Sequence, residues 1–141
     1  MGKIDIGRVV IGGIVAGIVI DVIEFVLNGI VLANQWLGVM SSIHRPPLGS
    51  NEIIAFNILG LVQGLAAVWT YAAIRPRFGA GPKTAVYAAV LTWVTAYLVA
   101  DALPTIMGVL PVALAVKLAG VGLVEIIVAT VAGAYVYKEP S

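Results

Sequence analysis

The stretch VVIGGIVAGIVIDVIEFVLNGIVLA, running from Val9 to Ala33, decides the fold. Its apolar residues follow one another without the every-other-residue alternation of a barrel strand. It also exceeds the ~20 residues with which an α-helix crosses the hydrocarbon of a bilayer. A secretory signal core is shorter, about 7–15 residues, and carries no acids. This run holds Asp21 and Glu24, so it is expected to stay in the mature protein. Three further runs have the same character, from about Ile53 to Ile74, Thr84 to Ala102 and Val112 to Tyr137. Between them lie His44-Arg45-Pro46-Pro47-Leu48-Gly49, Arg75-Pro76-Arg77-Phe78-Gly79-Ala80-Gly81-Pro82 and the stretch from Leu103-Pro104 to Pro111. Proline disfavours helix at the residue before it, so these segments read as the breaks between spans. The expected fold is all-α, a polytopic four-helix transmembrane bundle forming one domain over residues 1–141, with spans of about 9–33, 53–74, 84–102 and 112–137.

Composition supports this reading. Hydrophobic residues make up 61% of the chain and charged residues 11%, against about 25% charged in a soluble domain. So much apolar surface needs lipid around it. The absence of cysteine excludes disulfides, thiolate zinc sites and Fe–S clusters, and the single histidine excludes bis-histidine haem. Eight basic and seven acidic residues nearly cancel, leaving no basic face for nucleic acid. No cofactor is expected.

Basic residues near span ends set orientation. Lys3 and Arg8 precede the first span, Arg75, Arg77 and Lys83 lie between the second and third, and Lys138 follows the fourth. The other side holds only Arg45 and Lys117. Both termini and the middle loop are therefore expected in the cytoplasm, with the protein in a bacterial or archaeal inner (plasma) membrane. A two-helix internal duplication is a further expectation. Gly60-Leu61-Val62-Gln63 matches Gly122-Leu123-Val124-Glu125, and the odd spans carry Asp21 and Asp101 in their later halves.

The polar residues inside the spans are the informative ones. A central acid costs roughly 2.5–3.5 kcal/mol on the insertion scale, while each Leu, Ile, Val or Phe returns about 0.3–0.6. Asp21 and Glu24 thus offset nearly everything the first span's apolar residues supply, and that helix must lean on its neighbours. At about 100° per residue, Gly13, Gly17, Asp21, Glu24 and Asn28 fall in an arc of about 80°. Asn57, Gly60, Gln63, Ala67 and Thr70 share a face of the second span. Gly13 with Gly17, and Gly60 with Gly64, have the spacing that lets helix backbones approach closely. Counting 1.5 Å of rise per residue from the basic end places Asp21, Gln63 and Glu125 at about 18–20 Å depth. Glu24 lies about 5 Å further, Asn57 and Asp101 at about 27 Å, and Lys117 at about 30 Å.

Two readings of this layer stay open. In one, Asp21, Glu24, Glu125 and Asp101, with Gln63 and Asn57 as neutral ligands and Lys117 as a tuning charge, bind or conduct a cation or a proton. Four helices enclose little volume, so a pathway implies a homo-oligomer. In the other, the layer only locks helix packing, as in a structural or accessory subunit. A binder of a lipid-like apolar ligand is a third option. Trp36, Trp69, Tyr71, Tyr135 and Tyr137 read as interface anchors. Trp93 and Tyr97 read as packing residues or cavity lining, and His44 as a solvated loop residue. No histidine lies beside a nucleophile within a span, and no phosphate loop or His-Glu-x-x-His pattern occurs. Enzyme activity is not expected.

Overall fold

The computed structural model describes residues 3–138. Four helices in it are long and apolar enough to cross a membrane: Ile6–Val31, Ser50–Phe78, Pro82–Ile106 and Val112–Val136. The shortest, at 25 residues, is about 37 Å long, against roughly 30 Å of bilayer hydrocarbon. Their outward side chains are large and apolar, among them Ile11, Phe25, Leu59 and Val124. An all-α membrane protein is therefore what these residues build.

The first long helix comprises α1 (Ile6–Val26) and a π-helical turn, Leu27–Val31. A short helix, α2 (Ala33–Ser42), follows and precedes the second long helix, α3 (Ser50–Phe78). The third comprises α4 (Pro82–Trp93), a second π-helical turn at Val94–Leu98, and α5 (Val99–Ile106). The fourth is α6 (Val112–Val136). Helix α1 packs most extensively on α3 and then α6, while α4 packs on α6 and α3, closing a ring. Asp5 starts α1 by accepting the Arg8 backbone N–H at 3.1 Å, and its carboxylate also pairs with the Arg8 guanidinium at 3.2 Å. Glu52 reaches back to the Gly49 N–H at 3.0 Å to start α3.

Two proline breaks fall elsewhere than expected. The second span runs through Pro76 to Phe78 and stops at Gly79, whose φ of +87° suits glycine. Proline deletes a single ladder bond, and the ladder resumes after it, with Gly79 N–H donating to Arg75 O at 2.8 Å. The third span likewise runs through Pro104 to Ile106. The Pro104 carbonyl then accepts from the Val109 and Leu110 N–H groups, at 2.9 and 3.1 Å, and closes the turn.

The start of α1, the end of α6 and the 79–81 turn meet at one end, the near end. Asp5 N–H donates to the Tyr137 hydroxyl, Tyr137 stacks edge-on against Tyr71 at 6.0 Å, and the Tyr71 hydroxyl accepts from Gly81 N–H at 3.1 Å. Tyr71 and Tyr137 are thus buried at 3% and 2% exposure. This corrects their reading as interface anchors: their hydroxyls satisfy backbone donors inside the bundle. Trp69 and Tyr135 do face outward.

The core is rich in alanine, including Ala16, Ala67, Ala88 and Ala129. Lipid is as apolar as leucine, so helices associate through close van der Waals contact, which small residues permit. The crossings show how close. A methyl group at Gly64 would fall onto Gly17 N and Gly13 O, and one at Gly133 onto Gly12 O. A second apolar cluster, Leu32, Val39, Leu110 and Leu114, holds α2 and the 107–111 turn together at the far end.

Candidate functional site

Beyond the α1–α3 crossing, the glycine stripe of α1 gives way to acids. The Asp21 carboxyl lies over Gly60 of α3, where any side chain would collide with it. One turn on, Glu24 is half-buried and accepts a short hydrogen bond from Asn28 Nδ2. Asn28 Oδ1 accepts in turn from Trp36 Nε1 at 2.8 Å. A polar line therefore runs from α2 at the far end down the inner face of α1.

That line ends at Glu125 of α6, which is 1% exposed. Its Oε1 accepts from the Tyr97 hydroxyl at 2.6 Å. Tyr97 comes from the second π-helical turn, and its ring lies on Gly122, so that a Cβ there would strike it. Gln63 of α3 lies in the neighbourhood of the same hydroxyl. The Glu24 carboxyl is near enough to Glu125 to act on it electrostatically. Glu125 Oε2, though fully buried, has no conventional donor. Each π-helical turn thus contributes one polar contact to the glutamates, Asn28 to Glu24 and Tyr97 to Glu125. Wide turns of this kind are often found at functional sites.

The structure brings Glu24, Glu125 and Gln63 together around Tyr97, with Asp21 beside them. Asp101 on α5 is half-buried and within electrostatic range of Glu24. Asn57 is not part of the group. It is exposed, and its amide donates to its own helix at Ile53 O, 2.8 Å. Lys117 is exposed and makes no ion pair among the described residues. Trp93 donates to Ala119 O at 2.8 Å, a tie between α4 and α6. His44, at φ +56°, lines a shallow hollow of about 500 Å³ in the 43–47 loop, apart from the acids.

Sequence reasoning missed Tyr97 as the partner of Glu125, Asn28 as the partner of Glu24, and Trp36 as the donor behind Asn28. One signal was available: Gly122, one turn before Glu125, leaves room for a large side chain beside that acid. Chemically, the pair offers carboxyl oxygens and a phenol with little else. Among the described residues no group of three or more His, Cys, Asp or Glu side chains could hold a metal ion. Comparison of the chain with models of known protein families, with curated proteins and with solved structures found no match.

Proposed function

We propose that this membrane protein binds and passes protons at a carboxyl pair, Glu24 and Glu125, held between its helices. The observation that carries the reading is the buried Glu125 Oε2, which has no hydrogen-bond partner, and Glu24 is the acid in electrostatic range that could share a proton with it. Two ionised carboxylates can only accept hydrogen bonds, so they would repel and leave that oxygen unmet. A single proton shared by the pair makes the missing bond. The same proton is exchangeable, and Asn28 and Trp36 lead from the pair toward the far end. A proton suits the pair better than a hard metal cation, which takes about six or more oxygen ligands. Intramembrane acids of this kind commonly mark proton relays.

The wider reading keeps the termini and the 79–81 turn in the cytoplasm of a bacterial or archaeal cell, where Lys3, Arg8, Arg75, Arg77 and Lys83 gather. It also keeps assembly into a homo-oligomer and a two-helix duplication. The duplication draws support from Gly60 and Gly122, which head the two matching fragments and each lie under a side chain of the preceding long helix, Asp21 or Tyr97.

The test is proton entry into proteoliposomes that carry a trapped pH dye, driven by a potassium diffusion potential set with valinomycin. Wild-type vesicles acidify faster than empty ones, and Glu125→Gln abolishes the difference while keeping the wild-type melting temperature in detergent. Wild-type vesicles as tight as empty ones defeat the proposal. The Trp36–Asn28–Glu24 line, which ties α2 to α1, favours the second reading, a polar layer that only secures packing. In that case Glu125→Gln lowers the melting temperature and changes no flux.

A further inference from the structure

The corner where α3 turns into α4 carries charge that the bundle does not answer. Arg77 lies in the last turn of α3 and Lys83 in the first turn of α4. Both are exposed, and neither makes an ion pair among the described residues. Among those residues Asp5 is the acid of the near end, and the Arg8 guanidinium already holds it at 3.2 Å. The next acid along α1, Asp21, is about 24 Å of helix away. The corner itself is tied down. The Tyr71 hydroxyl accepts from Gly81 N–H at 3.1 Å, and the buried Thr84 hydroxyl donates to Phe78 O at 3.3 Å. An aromatic ring stands next to each cation. Phe78 follows Arg77 in the chain, Lys83 Nζ lies 5.9 Å from the centre of the Tyr87 ring, and the two rings meet edge-on at 5.6 Å.

From this corner one face of the third long helix leads into the membrane. Lys83, Tyr87, Leu91 and Val94 follow at helical spacing, i, i+4, i+8 and i+11, and all four are exposed. The stripe is about 16 Å long, half of the roughly 30 Å of bilayer hydrocarbon, which is the reach of an acyl chain in one leaflet. Elsewhere the outward surface asks only for hydrocarbon. Here it asks for hydrocarbon with a negative charge at its head. Free phosphate would meet the cations and leave the stripe uncovered. An acidic protein would do the same, since its charges stay in water. A zwitterionic lipid would bring its own cation up to Arg77 and Lys83. We propose that the α3–α4 corner binds an anionic phospholipid, its headgroup on Arg77 and Lys83 and one acyl chain along Tyr87, Leu91 and Val94. Arginine and lysine both make charge-assisted hydrogen bonds to phosphate oxygens, and basic side chains beside a membrane draw anionic lipids to them. The site is separate from Glu24 and Glu125 and stands whether or not that pair passes protons.

The probe is phosphatidylglycerol, titrated into the purified protein in a neutral maltoside detergent and followed by thermal unfolding. Phosphatidylcholine with the same chains, inorganic phosphate and polyglutamate are the comparisons. A ligand of the folded state raises the melting temperature as its site fills. The expected result is a saturable rise with phosphatidylglycerol alone. Arg77→Gln and Lys83→Gln each weaken the apparent affinity by ~5-fold, and the double variant by ~25-fold. Arg45→Gln combined with Lys117→Gln removes as much charge from the opposite side and keeps the wild-type response. All four side chains are exposed, so these variants keep the fold. An equal response to phosphatidylcholine overturns the proposal, because the headgroup is then not selected. A match by inorganic phosphate makes the corner a plain anion site, and a match by polyglutamate gives it to an acidic protein; either result overturns the lipid. So does a double variant that responds like the wild type, which places the lipid elsewhere. An equal loss in the Arg45/Lys117 variant overturns it too, because net charge and not this corner then decides.

Discussion

Removing the Tyr97 hydroxyl deprives Glu125 Oε1 of the donor it meets at 2.6 Å. The oxygen cannot turn to water, because Glu125 is 1% exposed. Tyr97→Phe should therefore cost about 1–3 kcal/mol, the range for leaving a buried polar group unmet. Asn28→Ala breaks two hydrogen bonds, to Glu24 and from Trp36, at about 0.6 kcal/mol per bond, and so should fall at the low end of that range. Glu24 and Asn28 are only half-buried and can find other partners. Reversible unfolding in mixed detergents should rank the variants in that order, and the reverse ranking would show that the α2 tie outweighs the buried contact. The same contrast explains what could be read from the chain. An acid in an apolar run announces itself by its insertion cost, so Asp21, Glu24, Asp101 and Glu125 stood out. A tyrosine costs little in the same place, and nothing around Tyr97 shows that its hydroxyl turns inward. Tyr71 and Tyr137 misled for the same reason, since aromatics near a span end look alike whether they face lipid or core.

At the scale of the helix, contact distance decides stability more than hydropathy does. A methyl at Gly64 would meet Gly17 and Gly13 backbone, which cannot rotate aside as a side chain can. Gly64→Ala should cost at least the roughly 1–3 kcal/mol of an overpacked core and loosen the α1–α3 crossing. Gly120 supplies the control, because nothing lies within 4 Å of the position its Cβ would take. Gly120→Ala should gain about 0.5–1 kcal/mol from helix propensity alone. Thermal unfolding of both variants in detergent checks the pair, and a similar effect at the two sites would remove the crossing from the account. The glycine spacing that predicts close approach is visible in the sequence, although Gly12 with Gly133 was not singled out because the two lie on helices far apart in the chain. Span ends were read less well. Pro76 and Pro104 look like breaks, but each removes a single N–H, and the donors that follow, Gly79 and Met107, stay bonded to Arg75 O and Leu103 O. The π-helical turns at Leu27–Val31 and Val94–Leu98 leave no mark in composition.

For the whole molecule, hydropathy was enough to count four spans, because the cost of exposing apolar residues to water adds up over each run. Direction rests on a weaker signal, a handful of basic residues near the span ends. The structure sharpens it by bringing the start of α1, the end of α6 and the 79–81 turn to one end through the contacts of Tyr71 and Tyr137. All three groups of basic residues therefore share a side, and the choice of orientation becomes a single two-way question. Translocating that end would carry Arg75, Arg77 and Lys83 across the bilayer, whereas the far end carries Arg45 and Lys117. The positive-inside bias thus favours a cytoplasmic near end. The native chain lacks cysteine, so single thiols report the answer cleanly. Ser41→Cys, on exposed α2, should react with a membrane-impermeant maleimide in intact cells of a bacterial host. Ala80→Cys, in the exposed near-end turn, should react only after the membrane is opened. The opposite pattern inverts the protein. It would also send the Trp36–Asn28–Glu24 line toward the cytoplasm, so that protons reaching Glu125 by that route would come from inside the cell. Equal labelling of both sites in intact cells would mean that the chain inserts both ways, as a bias of so few charges permits, and antiparallel pairs of copies would then be the assembly to look for.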